Sequence, residues 1–222
     1  VFNNVISDNN NGGTHYIIYN SSSDHWKYYH NTIAEENPTG GGSGITRGIF
    51  HTGAVTGVEY KNNLIHINRG TSGLNYAIYT TVNTGATFDN NALSVPQAGT
   101  AGNHYGYFSS DQTSFADWQS AGSNAFGQNS VSADPIFVNP AMGDYTPSSA
   151  IMNDIGLNLL TEVPTDILGA ARTATPDPGA YEFTPPPGPN MTVVSIGNVG
   201  AVCGSTVDVI YELTNIGTDT VT

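Results

Sequence analysis

The chain has 222 residues, 38% of them hydrophobic, and carries a net charge of −13 from 18 acidic and five basic side chains. That length suits one or two domains, and no apolar run approaches the roughly 18 residues of a membrane span. The scarcity of Lys and Arg argues against nucleic acid, an anionic membrane or a polyanionic glycan, each of which would meet repulsion over most of the surface.

Gly, Asn, Thr, Ser, Tyr and Ile dominate, an all-β mixture of turn formers and strand formers. From the N-terminus, an aromatic-x-Asn pattern appears at Phe2-Asn3-Asn4, Tyr29-His30-Asn31, Tyr60-Lys61-Asn62 and Phe88-Asp89-Asn90. Its aromatics are 27, 31 and 28 residues apart. A second pattern, Ile18-Tyr19, Ile49-Phe50, Ile78-Tyr79 and Tyr107-Phe108, keeps step with it at spacings of 31, 29 and 29. Two registers in step over four repeats, with no helical signature, predict a solenoid whose short strands stack about 4.8 Å apart. The corner is expected at Asn4, Asn31, Asn62 and Asn90, because Asn tolerates the left-handed backbone and bonds to its neighbours. Stretches such as 37–44, rich in Gly, read as loops between strands.

Beyond residue 110 the register fades. Thr113 to Trp118 reads as a short helix capped at Thr113 or Ser114. Then come Asp134-Pro135-Ile136-Phe137, Gly143-Asp144-Tyr145, Ser149-Ala150-Ile151 with Asp154 and Gly156, Asp166 to Arg172, and Pro176 to Phe183. This ending resembles that of bacterial right-handed parallel β-helix proteins of the pectate-lyase-like superfamily. One departure is an extra residue, Met152-Asn153, before Asp154. The resemblance covers residues 1–183. It implies a right-handed parallel β-helix whose tail seals the open end of the solenoid. Arg172, flanked by Asp166, Asp177 and Glu182, is expected to lock that cap by carboxylate pairing.

Residues 184–190 form a Pro-rich linker. Beyond it, strands are expected at Met191–Val194 and Thr206–Leu213 and a turn at Thr214–Thr218. This looks like the beginning of an immunoglobulin-like (CARDB-like) module over residues 191–222, too short to bury its own core and expected to continue further. Cys203 is the single cysteine, so any disulfide partner is expected beyond residue 222. Any secretory leader is expected to precede residue 1.

Four groups of candidate site residues emerge. His30, Lys61 and Asp89 share one register with Asn3, so Lys61 and Asp89 are expected to pair with His30 beside them. That is either a general acid/base site on a glycan or a solvated ladder. Asp8, Glu35, His66 and Ser94 form a second column. Asp8 and Glu35 are its calcium candidates, with oxygens from residues 8–11. Tyr19, Phe50, Tyr79 and Phe108 either fill the interior or form a sugar-stacking platform. Sequence does not choose between these, because a covered sheet is apolar on both sides. His15, His25, His51 and His104 lack the close spacing of a zinc site, and no phosphate loop or nucleophile elbow is present.

Three functions fit. The first is a non-catalytic module of a large secreted or cell-surface bacterial protein, in contact with a polysaccharide or cell-surface glycan and with neighbouring domains. The second is a polysaccharide lyase or glycoside hydrolase with catalytic turns partly upstream, as the resemblance implies for many members. The third is a dedicated glycan-binding module. No cofactor is expected apart from the calcium candidate.

Overall fold

A computed structural model describes residues 1–8, 13–38, 42–70, 72–96 and 102–187, and the backbone of 191–196 and 211–215. Two units divide at Thr184 and Pro185.

The first unit is a parallel β-solenoid of about three turns. Its first turn holds β1 (Val5–Asp8), β2 (His15–Ser21) and β3 (Lys27–Tyr29). The second holds β4 (Thr32–Asn37), β5 (Thr46–Thr52) and β6 (Val58–Lys61), and the third β7 (Leu64–Arg69), β8 (Asn75–Thr80) and β9 (Ala86–Asp89). A fourth begins with β10 (Ala92–Ser94) and β11 (Asn103–Phe108). It then reverses into β12 (Ser110–Gln112), helix α1 (Phe115–Asn124) and β13 (Val131–Ser132). Like strands stack into three sheets. Sheet A runs β1-β4-β7-β10-β13, sheet B runs β2-β5-β8-β11 with β12 antiparallel at its edge, and sheet C runs β3-β6-β9.

The interior is filled by residues of like register. Ile18, Ile49 and Ile78 come from sheet B, and Ile33, Ile65 and Leu93 from sheet A. Sheet C supplies a stack of Tyr28, Tyr60 and Phe88, with ring centroids 4.8 Å apart at each step. The expected register slips here. Tyr28, rather than Tyr29, lies over Tyr60, so Tyr29 falls in line with Lys61 and Asp89.

Two columns of residues make the corner from sheet C to sheet A. Asn3, His30, Asn62 and Asn90 take the left-handed conformation, with φ between 51° and 54°. The next residues, Asn4, Asn31, Asn63 and Asn91, form a hydrogen-bonded ladder. The Nδ2 of Asn4 donates to Asn31 Oδ1 at 2.8 Å, Asn31 to Asn63 at 3.0 Å and Asn63 to Asn91 at 3.0 Å. Each Oδ1 also accepts the backbone N–H of the preceding turn's Asn, and Ser130 Oγ closes the file by accepting from Asn91 N. The expected file therefore divides: Asn4 and Asn31 belong to the ladder, Asn62 and Asn90 to the left-handed column. The ladder spacings of 27, 32 and 28 residues place the extra length in the second turn.

Helix α1, not the tail, closes the end of the solenoid. Ser114 caps it through a reciprocal pair, with Ser114 Oγ accepting from Asp117 N and Asp117 Oδ2 from Ser114 N. Its Trp118 is fully buried, stacks on Phe126 at 4.4 Å and meets Phe88 edge-on. The tail runs back along the outside of the corner. Met152 packs on Leu64 and Ala92 of sheet A, while Leu159 and Val163 cover Tyr29. Gly179 N donates to Asn62 O, and Ala180 N to Thr32 Oγ1. Arg172 locks this strip, with Nη1 on Glu182 and Asp177 O and Nη2 on Asn3 Oδ1 and Gly179 O. Of the three expected carboxylates, Glu182 alone pairs with Arg172 directly. Asp166 accepts the backbone amides of Leu168, Ala170 and Glu182, and Asp177 those of Asp154 and Phe183.

In the second unit, β14 (Met191–Ile196) pairs antiparallel with β15 (Tyr211–Asn215), with a bulge between Val193 and Ser195. The ladder includes Thr214 and Asn215, which the sequence assigned to a turn. The rest of that turn, the strand expected from Thr206 to Ile210, and Cys203 lie outside the described residues.

Candidate functional site

The tail decides which outer face is left for function. Sheet A lies under Met152, Phe137 and Phe183, and sheet C has Leu159 and Val163 against it. The outer face of sheet B carries two adjacent columns. One is Tyr19, Phe50, Tyr79 and Tyr107, and the other is Tyr16, Arg47, Tyr76 and His104. The aromatic file expected from sequence thus points outward, while Ile18, Ile49 and Ile78 point in. Its fourth member is Tyr107, not Phe108, which packs against Phe126 instead. The cause of the slip is Gly106. It lies in register with Ile78, where a Cβ would stand 2.2 Å from Trp118 Cε3. The helix ring occupies the place of the missing side chain.

Ring centroids along the file are 4.6 Å apart from Tyr19 to Phe50, 5.3 Å to Tyr79 and 4.3 Å to Tyr107. The first and last pairs are stacked and the middle pair is edge-on. Most ring faces are therefore spent on neighbours. Outward, the file offers ring edges and phenol hydroxyls, plus the open sides of Tyr16 (45% exposed) and Tyr19 (54%). Arg47 lies among them, its Cζ 3.9 Å from the Tyr79 centroid, 4.1 Å from Phe50 and 4.9 Å from Tyr16. At one end Tyr76 donates its hydroxyl to Asp111 Oδ1 at 2.8 Å, and His104 Nε2 lies 3.8 Å from Asp111 Oδ2. Burial first, then Asp111, holds the Tyr76 phenol well above its ordinary range. Three strand spacings between the four rings make a ridged strip roughly 14 Å long, polar along its edges and apolar between them. Such a surface suits the alternating C–H and hydroxyl groups of a sugar chain.

The other candidates fall elsewhere. His30 is buried under the tail. Its Nδ1 donates to Asp177 O at 3.1 Å, and its Nε2 accepts from Asn62 Nδ2 at 2.9 Å. Burial, with help from Arg172, pushes it down to about 3. Lys61 pairs with Glu59 at 2.9 Å rather than with Asp89. Asp89 accepts from Asn129 N and Nδ2 at 2.8 and 2.7 Å. The three are not brought together, because His30 belongs to the left-handed column and not to that of Lys61. Asp8 and Glu35 are register partners, but His66 lies in register with Ala34 and Ser94. Glu35 is buried against His15 Nδ1 at 2.9 Å and Arg69 at 4.0 Å. The side chain of Asp8 and residues 9–11 lie outside the described residues. Among the described residues no three His, Cys, Asp or Glu stand together as metal ligands.

Sequence reasoning missed the Tyr16 column, although it repeats as Tyr16-x-x-Tyr19, Arg47-x-x-Phe50, Tyr76-x-x-Tyr79 and His104-x-x-Tyr107. It also missed a chain on sheet A, in which Glu36 Oε2 meets His66 Nε2 at 2.6 Å and His66 Nδ1 meets Ser94 Oγ at 2.9 Å. Ser94 is 3% exposed and the Phe137 ring edges onto His66. The chain ties β4, β7 and β10 together. Burial tends to raise Glu36, but His66 and Asn68 outweigh it and hold the carboxyl below its usual range.

The buried histidines give the fold a pH dependence. Burial pushes His51 down to about 4, and His30 lies at about 3, both from an ordinary 6.5. Below pH 6.5 the unfolded chain takes up protons that the folded chain refuses, so stability falls as pH drops toward 4. Asp177 and Glu182, raised by burial, contribute with the opposite sign. The expected result is a falling thermal midpoint from pH 7 to pH 4, with a shallower slope in His51→Gln. An equal slope in the variant would remove His51 from this account.

The fold and this face together define a parallel β-solenoid with an outward aromatic ridge. Comparison with protein-family models, curated proteins and solved structures finds no match.

Proposed function

We propose that residues 1–183 are a non-catalytic, right-handed parallel β-helix module that contacts glycan through the aromatic ridge of sheet B. In this reading it belongs to a large secreted or cell-surface bacterial protein of the pectate-lyase-like superfamily. The second unit opens an immunoglobulin-like module that links it to further domains. Right-handedness agrees with the strong preference of parallel crossovers. The observation that carries the reading is the outward file Tyr19, Phe50, Tyr79 and Tyr107 on the face free of the tail. A role in solubility alone would leave such a strip polar. The lyase alternative gains little support from sheet C, where the Lys61 ammonium is bound to Glu59, which also accepts from the Tyr29 hydroxyl.

The test is affinity electrophoresis of the whole chain through gels holding neutral and acidic polysaccharides. Retardation by at least one glycan is expected, with a loss of about 10-fold in affinity in Tyr19→Ala/Tyr79→Ala. Binding that survives the double substitution, or none to any glycan, counts against the ridge. Release of unsaturated products from the same glycans would favour the lyase.

A further inference from the structure

The five cations of this acidic chain are not used alike. Lys27 lies 3.5 Å from Glu162, Lys61 2.9 Å from Glu59 and Arg69 4.0 Å from Glu35, and Arg172 is bonded to Glu182. Arg47 has no carboxylate within ion-pair distance among the described residues, and its Nε is buried with no hydrogen-bond partner. In a chain with 18 acidic side chains, such a cation is the exception.

Arg47 is nevertheless held. Its guanidinium lies over Phe50 and Tyr79 at 4.1 and 3.9 Å, with Tyr16 on a third side. Cation–π contact of this kind holds the group in place without using its hydrogen-bond donors. A guanidinium fixed in this way has already lost the rotamer freedom that a flexible side chain gives up on binding. Its remaining donors match two oxygens of a planar carboxylate.

We infer that Arg47 is a subsite for an isolated sugar carboxylate on an otherwise neutral glycan. The inference rests on the glycan reading of the ridge and names the class of ligand. The flanking aromatics and tyrosine hydroxyls are suited to neutral sugars on either side. Asp111, the acid that bonds Tyr76 at the edge of the same face, and the net charge of −13 both oppose a second and third negative charge. A polyuronide is therefore the wrong ligand, and sparse acid substitution is the right one.

The experiment titrates the whole chain with three forms of one xylo-oligosaccharide: unsubstituted, bearing a single glucuronate, and bearing that glucuronate reduced to the neutral sugar. Oligogalacturonate serves as the dense polyanion, and a singly sialylated neutral oligosaccharide tests whether another carboxylate serves. The singly charged form is expected to bind about 10-fold tighter than its reduced partner, with the preference shrinking as salt is raised. Arg47→Gln is expected to abolish the preference, read as the ratio of acidic to reduced affinity within the same variant, and Arg47→Lys to keep part of it. Unfolding midpoints establish that both variants are folded. Equal binding of the acidic and reduced forms by the native chain overturns this inference alone. So does a preference that survives in Arg47→Gln, or tighter binding of oligogalacturonate. Absence of binding to every form, neutral ones included, overturns the ridge reading together with it.

Discussion

Arg172→Met is expected to lower the unfolding free energy of the solenoid unit by about 3–5 kcal/mol, the usual cost of removing one partner from a buried, hydrogen-bonded ion pair. Methionine keeps the apolar stem but removes every donor. Glu182, Asn3 Oδ1 and the carbonyls of Asp177 and Gly179 all lose a partner at once. Burial already pushes the Glu182 carboxyl above its ordinary range, and removing the cation that favours its charged form is expected to raise it further. The effect exceeds that of a local contact because Arg172 bonds Asn3, on the first turn, to the strip that crosses the whole corner. Urea unfolding followed by circular dichroism reads it. A loss below about 1 kcal/mol would mean that the tail is fastened elsewhere.

Asn63→Ala is expected to cost about 3–4 kcal/mol, from two or more buried groups left unsatisfied at 1–3 kcal/mol each. Asn63 Oδ1 accepts both Asn31 N and Asn31 Nδ2, and its Nδ2 donates to Tyr28 O and Asn91 Oδ1. None of these groups reaches water, since Asn31 and Asn63 are fully buried and Asn91 nearly so. Asn90→Gly, in the left-handed column one turn further on, is expected to change stability by less than about 1 kcal/mol, because glycine adopts that backbone freely. The contrast between the two asparagines separates the two columns by their energies. Equal losses would contradict the assigned register.

The solenoid was legible because two independent letter patterns kept step, and stacking turns are what such a period demands. The register was not fully legible, for a local reason. Tyr28-Tyr29 and Asn62-Asn63 are doublets, and either member of each satisfies the pattern. Only the packing of Tyr28 on Tyr60, with the left-handed turn moved onto His30, selects one. The same slip explains why His30 leaves the company of Lys61. At the far end, Gly106 reads as the partner of Gly48 until Trp118 is seen to fill its place. The tail's resemblance to β-helix endings implied a cap, but nothing in its letters says that it lies along the corner, because that depends on which outer faces are left apolar. Of the ridge, the aromatic file was visible and its outward direction was not. Arg47 was hidden by its rarity, a single cation in a column otherwise of Tyr and His.

The most direct test of the stacking on which the ridge depends is the side-chain amide network of the corner, read by NMR on the labelled protein. Nuclear Overhauser contacts are expected from the Asn63 side-chain amide to both Asn31 and Asn91, with slow exchange of those protons against solvent. Contacts that instead join Asn31 to Asn62 and Asn90, or rapid exchange throughout, would contradict the register and with it the placement of Tyr19, Phe50, Tyr79 and Arg47 on one face.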